Sequence, residues 1–338
     1  MNERPAQTRA TADGPDGPIS YLAAGPIDGP LMVFVHGWPS VAATWQPQLN
    51  AFSSRGYRVI APDLRGVGSS SAPTDPSAYA QRHLVADMHT LLRHLGHDKA
   101  IWVCHDWGSA TVWALAAHHP EACVALVSLC VPYRTLERGK AEMLKYVNRD
   151  IYPADKYPDA QFDYITYYQE HTDDAIAAFE AQTGEYLRAF YRRGNPDAMG
   201  VPAPSAQLTR NGGWFGGEPA PDKPFDTHVL TADLYDELHQ SFRHTGFSRN
   251  IGLYLNDDDN LAYSNESVNE GRLDLPVLFI EAGYDSIADT AVSRLRDPMR
   301  EFCTNLTETS VNAGHWIALE RPNKVNDTVA HWLRRTLN

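Results

Sequence analysis

The sequence predicts an α/β fold, a mostly parallel, doubly wound sheet interrupted by one mainly helical insertion. Three observations carry this. Short, continuous, β-rich apolar runs recur through residues 1–133, a helical stretch lies between two of them, and the same strand pattern returns at residue 276. Runs this short and unbroken read as strands covered on both faces, as in a parallel sheet. Alternating β and α of this kind defines the class.

Taken in order, LMVFVHG (31–37) is an apolar run ending at a glycine, and YRVIAPD (57–63) repeats the form. Residues 79–95 place Leu84, Met88, Leu91, Leu92 and Leu95 at helical spacing. KAIWVCHD (99–106) and VALVSLCVP (124–132) are the next strands. From 134 the character changes to tyrosine, charge and helix formers, up to residue 193. Residues 194–224 hold six glycines and six prolines, which reads as a long loop without regular structure. A helical stretch (230–243) and an acidic turn at Asp257, Asp258 and Asp259 follow. PVLFIEAG then restores the strand pattern, ahead of ETSVNAGHW and a terminal helix over 323–337. Residues 1–133 and 271–338 are therefore expected to form the sheet domain, with 134–270 inserted in it.

Composition narrows the function classes. The 338 residues carry 29 basic and 42 acidic side chains, a formal net charge of −13. A nucleic-acid binder needs clustered Lys and Arg to release counterions, so that class is disfavoured. The four cysteines (Cys104, Cys123, Cys130, Cys303) show no CxxC pairing, which suits free thiols in a reducing compartment. The first 18 residues contain no apolar signal region, and no run of 18 apolar residues occurs. A cytoplasmic protein without a membrane span is the expectation. The 14 histidines include no HExxH, and the acidic turn lacks the glycine and distal glutamate of a calcium loop, so a metal site is not expected.

The chemistry concentrates in four short segments. CHDWG (104–108) joins a predicted strand to a predicted helix. It fits a small-x-nucleophile-x-small elbow, whose tight turn lifts the middle side chain above the sheet. That side chain is Asp106. HGWP (36–39: His36, Gly37, Trp38, Pro39) follows a buried strand, where an early loop supplies an oxyanion-hole N–H. Asp285 follows PVLFIEAG, and His315 lies in NAGHW. Nucleophile, acid and base in this chain order match the α/β-hydrolase fold. Each segment alone has a plainer reading: Asp106 and Asp285 as helix caps, His36 as a strand-end turn, His315 as an ordinary loop histidine. All of them standing in this order by accident is the weaker explanation.

Together these residues resemble the α/β-hydrolases of the epoxide hydrolase group, over nearly the whole chain. The resemblance implies the α/β-hydrolase fold and identifies 134–270 as a helical cap. It also selects two tyrosines. FDYITYYQE (162–170) is similar to the segment carrying a first ring-opening tyrosine, at Tyr164, and TGFSRNIGLY (245–254) to that carrying a second, at Tyr254. Without the resemblance, Tyr164, Tyr167 and Tyr168 are equivalent members of an aromatic stripe that could simply be core. The sequence departs from the group at Cys104, where the elbow's first glycine is expected.

The implied reaction turns an apolar or aryl epoxide and water into a vicinal diol. An aspartate of ordinary pKa, about 3.9, is already ionised at neutral pH and attacks carbon without a base. Tyrosines of pKa about 10 stay protonated and can donate to the opening ring oxygen. His315, oriented by Asp285, would activate water against the ester on Asp106, and the N–H groups of Trp38 and Trp107 would hold the oxyanion. No cofactor is called for, and the partners are a small epoxide and water. Two rivals remain. A haloalkane dehalogenase shares the aspartate elbow and Trp107, and Trp214 could serve it as a further N–H donor. A non-catalytic ligand-binding protein of the same fold would be expected to have lost these residues. Esterase chemistry is disfavoured, since no G-x-S-x-G occurs and Ser109 falls inside the helix.

Overall fold

The computed structural model describes residues 7–337. Eight strands form one sheet: β1 (Thr8–Gly14), β2 (Gly17–Ala24), β3 (Leu31–Val35), β4 (Arg58–Pro62), β5 (Ala100–His105), β6 (Cys123–Leu129), β7 (Val277–Ala282) and β8 (Leu306–Val311). Their spatial order is β1-β2-β4-β3-β5-β6-β7-β8. The β1–β2 and β2–β4 pairs are antiparallel, and every pair from β4 onward is parallel.

Every residue of β3, β5 and β7 is buried, as their largely apolar sequences require, and the buried Glu281 of β7 pairs with Arg296 at 3.2 Å. Fully burying a Val, Ile or Phe contributes about 1.5–3 kcal/mol each. Helices cover the sheet: α1 (Gln46–Ser53), α2 (Gln81–His94) and α3 (Trp107–His118). α2 buries Leu84, Val85, Met88, Leu91 and Leu92, the stripe its spacing predicts. α3 is buried from Trp107 through Ala117, which fits a helix apolar on all sides.

The chain leaves the sheet after Leu129 and returns at Val277. Between them run the helices Asp163–Glu170, Thr172–Ala181, Thr183–Phe190, Ala232–Thr245 and Asp257–Asn265, with shorter turns. Three expectations need correction. Residues 194–224 are not without regular structure, since single turns form at Pro196–Ala198, Pro204–Gln207 and Leu208–Asn211. Pro196 and Pro204 open two of these turns, where the missing N–H costs nothing. Asp257, Asp258 and Asp259 form the first turn of a helix rather than a loop, placing negative charge at its positive end. Finally, the β1–β2 hairpin is not among the expected strands; in it β2 is buried between β1 and β4, and only β1 lies at the sheet edge. TRATADG is largely exposed and carries no apolar run.

The loops that follow β3, β5, β7 and β8 all emerge at the carboxyl edge of the parallel strands, where ligands bind in open α/β sheets. They contain Trp38, Asp106, Asp285 and His315 respectively. Among the described residues, no helix is long and apolar enough to cross a membrane. All four cysteines are free and buried.

Candidate active site

Asp106 stands between the end of β5 and the start of α3, with φ 53° and ψ −127°. A left-handed φ at a residue with a side chain is strained by about 1–3 kcal/mol and persists only where its surroundings impose it. Gly108 permits the tight strand-to-helix packing around it. A side chain there would strike the carbonyl oxygens of Val35 and His36, so only glycine lets α3 start so close to β3. Gly37 is equally constrained, by Asp106 and the Trp107 amide. Cys104 fits the first elbow position. It is fully buried, and its Sγ–H donates to the Val127 carbonyl at 3.4 Å.

The Asp106 carboxylate is nearly enclosed. Oδ1 accepts the Trp38 N–H at 2.6 Å, and the Trp107 N–H lies nearby. Oδ2 lies 3.7 Å from His315 Nε2. Burial pushes the carboxyl above the usual range, while His315 and the two amides pull the other way. His315 Nδ1–H donates to Asp285 Oδ2 at 2.9 Å. Asp285 Oδ1 in turn accepts the N–H groups of Ile287 and Ala288, at 3.0 and 3.1 Å. Burial alone would raise Asp285, but His315 and these amides hold it below its ordinary value. Burial also works against a charged His315, yet the carboxylates of Asp285 and Asp106 push it up to about 9.

His36 and Pro39 serve as struts. His36 Nε2 accepts the Leu64 N–H at 3.1 Å and its Nδ1–H donates to the Gly37 carbonyl at 2.9 Å. Burial lowers its pKa and keeps it neutral. The Pro39 carbonyl accepts the Tyr191 hydroxyl at 2.6 Å. Sequence reasoning missed three residues that hold the histidine loop. His105 Nε2–H donates to the His315 carbonyl at 2.7 Å, and the Cys130 thiol reaches the same oxygen at 3.4 Å. Burial lowers His105 to about 3, so it is neutral, and only its N–H can serve a carbonyl. Glu320 accepts the Gly314 N–H at 2.9 Å.

Above the carboxylate lie the aromatics of the insertion. Tyr164, Tyr168 and Tyr254 form a triangle, with ring centroids 5.6 Å (Tyr164–Tyr168), 5.0 Å (Tyr168–Tyr254) and 5.8 Å (Tyr164–Tyr254) apart, all edge to face. Tyr254 also meets Trp107 and Trp38 edge-on, at 5.0 and 5.4 Å. Burial, with Asp106 nearby, pushes Tyr164 and Tyr254 well above 10, so both hydroxyls stay protonated. Tyr168 accepts the Trp214 indole N–H at 2.7 Å. Tyr167 turns instead toward His171 and the Gly212 carbonyl.

Asp106, His315, Tyr164, Tyr254 and Trp38 line one cavity of about 220 Å³, walled further by apolar rings such as Phe190. A second, of about 30 Å³, shares Asp106, Tyr164 and His315 and is closed by Leu136, Met143 and Phe162. Trp107 is buried, with its ring against Tyr254, and Ser109 is buried inside α3. Among the described residues, His105, Cys130 and His315 bring three ligand atoms within 4.8 Å of one another, as do His89, His119 and Glu121. The first group is already engaged, since His105 and Cys130 both donate to the His315 carbonyl. The second lies at the far end of α3 from the elbow.

Comparison with known proteins agrees with this architecture. Residues 30–322 match the alpha/beta hydrolase fold family. The chain is 29% identical over 308 residues to "Bifunctional epoxide hydrolase 2" of Rattus norvegicus, covering 90% of this chain and 52% of that protein. It thus spans about half the length of its mammalian relatives. It is 28% identical over 326 residues to "Epoxide hydrolase A" of Mycobacterium tuberculosis, covering 93% and 94% of the two chains. The crystal structure of Epoxide Hydrolase A from Mycobacterium thermoresistibile superposes with a TM-score of 0.79 at 29% identity, over 97% of this chain and 98% of that one. With an aspartate on the strand–turn–helix elbow and a histidine–aspartate pair on the loops after β8 and β7, the chain belongs to the alpha/beta hydrolase fold family.

Proposed function

We propose that the protein is an epoxide hydrolase that works through an ester on Asp106. One observation carries the reading: a buried carboxylate with a histidine–aspartate pair on one side shares its cavity with two protonated tyrosines. The names of its relatives in mammals and mycobacteria support the same activity. In this reading residues 134–270 act as a cap that carries the acids over the nucleophile.

Asp106 Oδ1 is held by the Trp38 amide, which leaves Oδ2 to attack an epoxide carbon. As the O–C bond to Asp106 forms, the ring C–O bond breaks and its electron pair goes to the ring oxygen. That oxygen takes a proton from Tyr164 or Tyr254, since an alkoxide is far more basic than a phenolate. Esterification removes the negative charge of Asp106. His315 then loses one of the two carboxylates that hold it near 9, and it becomes a weaker acid-holder and a usable base. The proton it sheds restores the tyrosine. Neutral His315 next deprotonates water, which attacks the Asp106 carboxyl carbon. The oxyanion develops on Oδ1, which accepts the Trp38 amide, and the Trp107 amide would serve as the second donor. Collapse breaks the bond between the carboxyl carbon and Oδ2, the leaving alkoxide takes from His315 the proton drawn from water, and the diol is released. The Asp106 carboxyl then returns a proton to His315.

The two cavities bear on the substrate. A cavity of ~150 Å³ accommodates a benzene ring, so the larger space admits an aryl or comparable apolar substituent and the smaller does not. An apolar epoxide with its bulk on one carbon fits this shape. A second reading, haloalkane dehalogenation, is favoured by the indole N–H groups of Trp38 and Trp107, which are buried and meet no acceptor. Halide leaves as a stable anion and needs such donors, but it gives the two tyrosines no task. Product analysis decides: diol from an aryl epoxide supports the proposal, and halide release from a chloroalkane without diol formation overturns it.

A further inference from the structure

Glu320 ends the short helix Ile317–Glu320, and its carboxylate is almost fully enclosed, with side-chain exposure of 3%. One oxygen, Oε2, accepts two backbone amides from distant parts of the chain: Gly314 N–H and Gly194 N–H, each at 2.9 Å. Gly314 immediately precedes His315. Gly194 belongs to the insertion, just beyond the helix Thr183–Phe190. The two glycine backbones touch so closely that a side chain on either would strike the main chain of the other. Neighbouring residues reinforce the junction. Trp316 Nε1–H donates to the Phe190 carbonyl at 2.8 Å, Tyr191 stacks on Trp316 at 3.8 Å, and the Tyr191 hydroxyl reaches the Pro39 carbonyl.

We infer that Glu320 is a positioning residue that staples the insertion to the histidine loop and so fixes His315 for ester hydrolysis. The inference rests on the reaction proposed above. His315 is gripped beyond its own peptide by His105 and Cys130, on sheet strands or just past them. Before it, Gly314 is held by Glu320, and that same oxygen ties the loop to the insertion. Nε2 must meet both a water and the ester carbon, and an ångström of misplacement costs ~100-fold in such a step. The first half-reaction makes a different demand. Asp106 attacks carbon itself and His315 Nε2 transfers no proton in that step, needing only to keep its charge near the carboxylate, so ester formation should tolerate a loosened loop better than hydrolysis does.

Pre-steady-state kinetics with an aryl epoxide separates the two steps, with ester formation read as a rapid phase and its hydrolysis as the slow one. Glu320→Leu leaves both amides without an acceptor and is expected to slow hydrolysis by roughly 10–100-fold while changing ester formation little. Glu320→Gln keeps a carbonyl oxygen for both amides and should restore hydrolysis to within roughly fivefold of wild type, the loss reflecting weaker neutral hydrogen bonds. Should Glu320→Leu not fold, Gly194→Ala tests the same junction from the insertion side by pressing on Gly314, and it is expected to slow hydrolysis selectively. Equal slowing of both steps, or unchanged hydrolysis in the folded variants, overturns the positioning role. A wild-type enzyme that forms diol with no ester phase sinks the parent mechanism and this inference together.

Discussion

The two walls of the cavity are built on different principles. On the sheet side, hydrogen bonds at 2.6–3.1 Å locate Asp106 through the Trp38 amide, His315 through Asp285, and Asp285 through two backbone amides. On the insertion side, Tyr164, Tyr168 and Tyr254 are located by edge-to-face ring contacts at 5.0–5.8 Å. Hydrogen bonds fix direction, which a nucleophile and a base both need. Ring packing fixes position and excludes water, which keeps an acid protonated beside a carboxylate. The contrast teaches where the enzyme should be brittle. Loss of a polar member should abolish a step, whereas loss of one tyrosine leaves another donor in place.

The largest expected effect is at Asp106, the proposed nucleophile. Asp106→Asn should lower diol formation by ~10⁴-fold or more, measured by steady-state product assay. Next comes His315, the proposed base. His315→Gln should cut turnover by ~10²–10⁴-fold while still consuming one equivalent of epoxide, with the ester on Asp106 visible by mass spectrometry. Normal turnover in that variant would mean another base. On the aromatic side, Tyr164→Phe and Tyr254→Phe should each slow ester formation by about 10–100-fold, and the double variant more than either. Tyr167→Phe, pointing away from the cavity, is the control and should behave as wild type. A Tyr167 effect equal to that of Tyr164 would erase the distinction drawn between them.

Smaller effects come from charge. Asp285→Asn removes the carboxylate that contributes most to raising His315, so the titration of the base in the free enzyme should move down from about 9, by roughly 1–3 units. Proton NMR of the imidazole reads this directly. The same coupling bears on stability. His315 is raised from 6.5, so its contribution is fully present below pH 6.5 and lost as pH climbs through about 9. Asp285 is lowered, so its contribution is present above 3.8 and lost as pH falls through its depressed value. Thermal melts should therefore show an alkaline loss of about 1–3 kcal/mol that His315→Gln lacks.

Legibility follows the same division. The polar wall is written in short motifs because a strained turn demands particular residues at fixed spacing: Gly108 to let α3 approach β3, and Gly37 to let the Trp38 amide reach Asp106. The parallel strands were readable for a related reason, since burial on both faces forces unbroken apolar runs. The aromatic wall carries no such signature. Tyr164, Tyr167 and Tyr168 differ only in the direction each takes from one helix, which is a matter of tertiary packing, so the choice among them came from resemblance rather than pattern. Glu320 was invisible for a further reason. Its two partners lie 6 and 126 positions away, and both are backbone amides, which have no sequence identity to match. The 194–224 segment misled because proline was read as a breaker where it opens a turn.

The central claim is that Asp106 itself becomes esterified, and single-turnover reaction in heavy-oxygen water tests it most directly. With enzyme in excess over an aryl epoxide, both oxygens of the first diol should be unlabelled, one from the ring and one from Asp106, while the label enters the Asp106 carboxyl. Label in that first diol would mean that water attacks the epoxide directly, and would contradict the account.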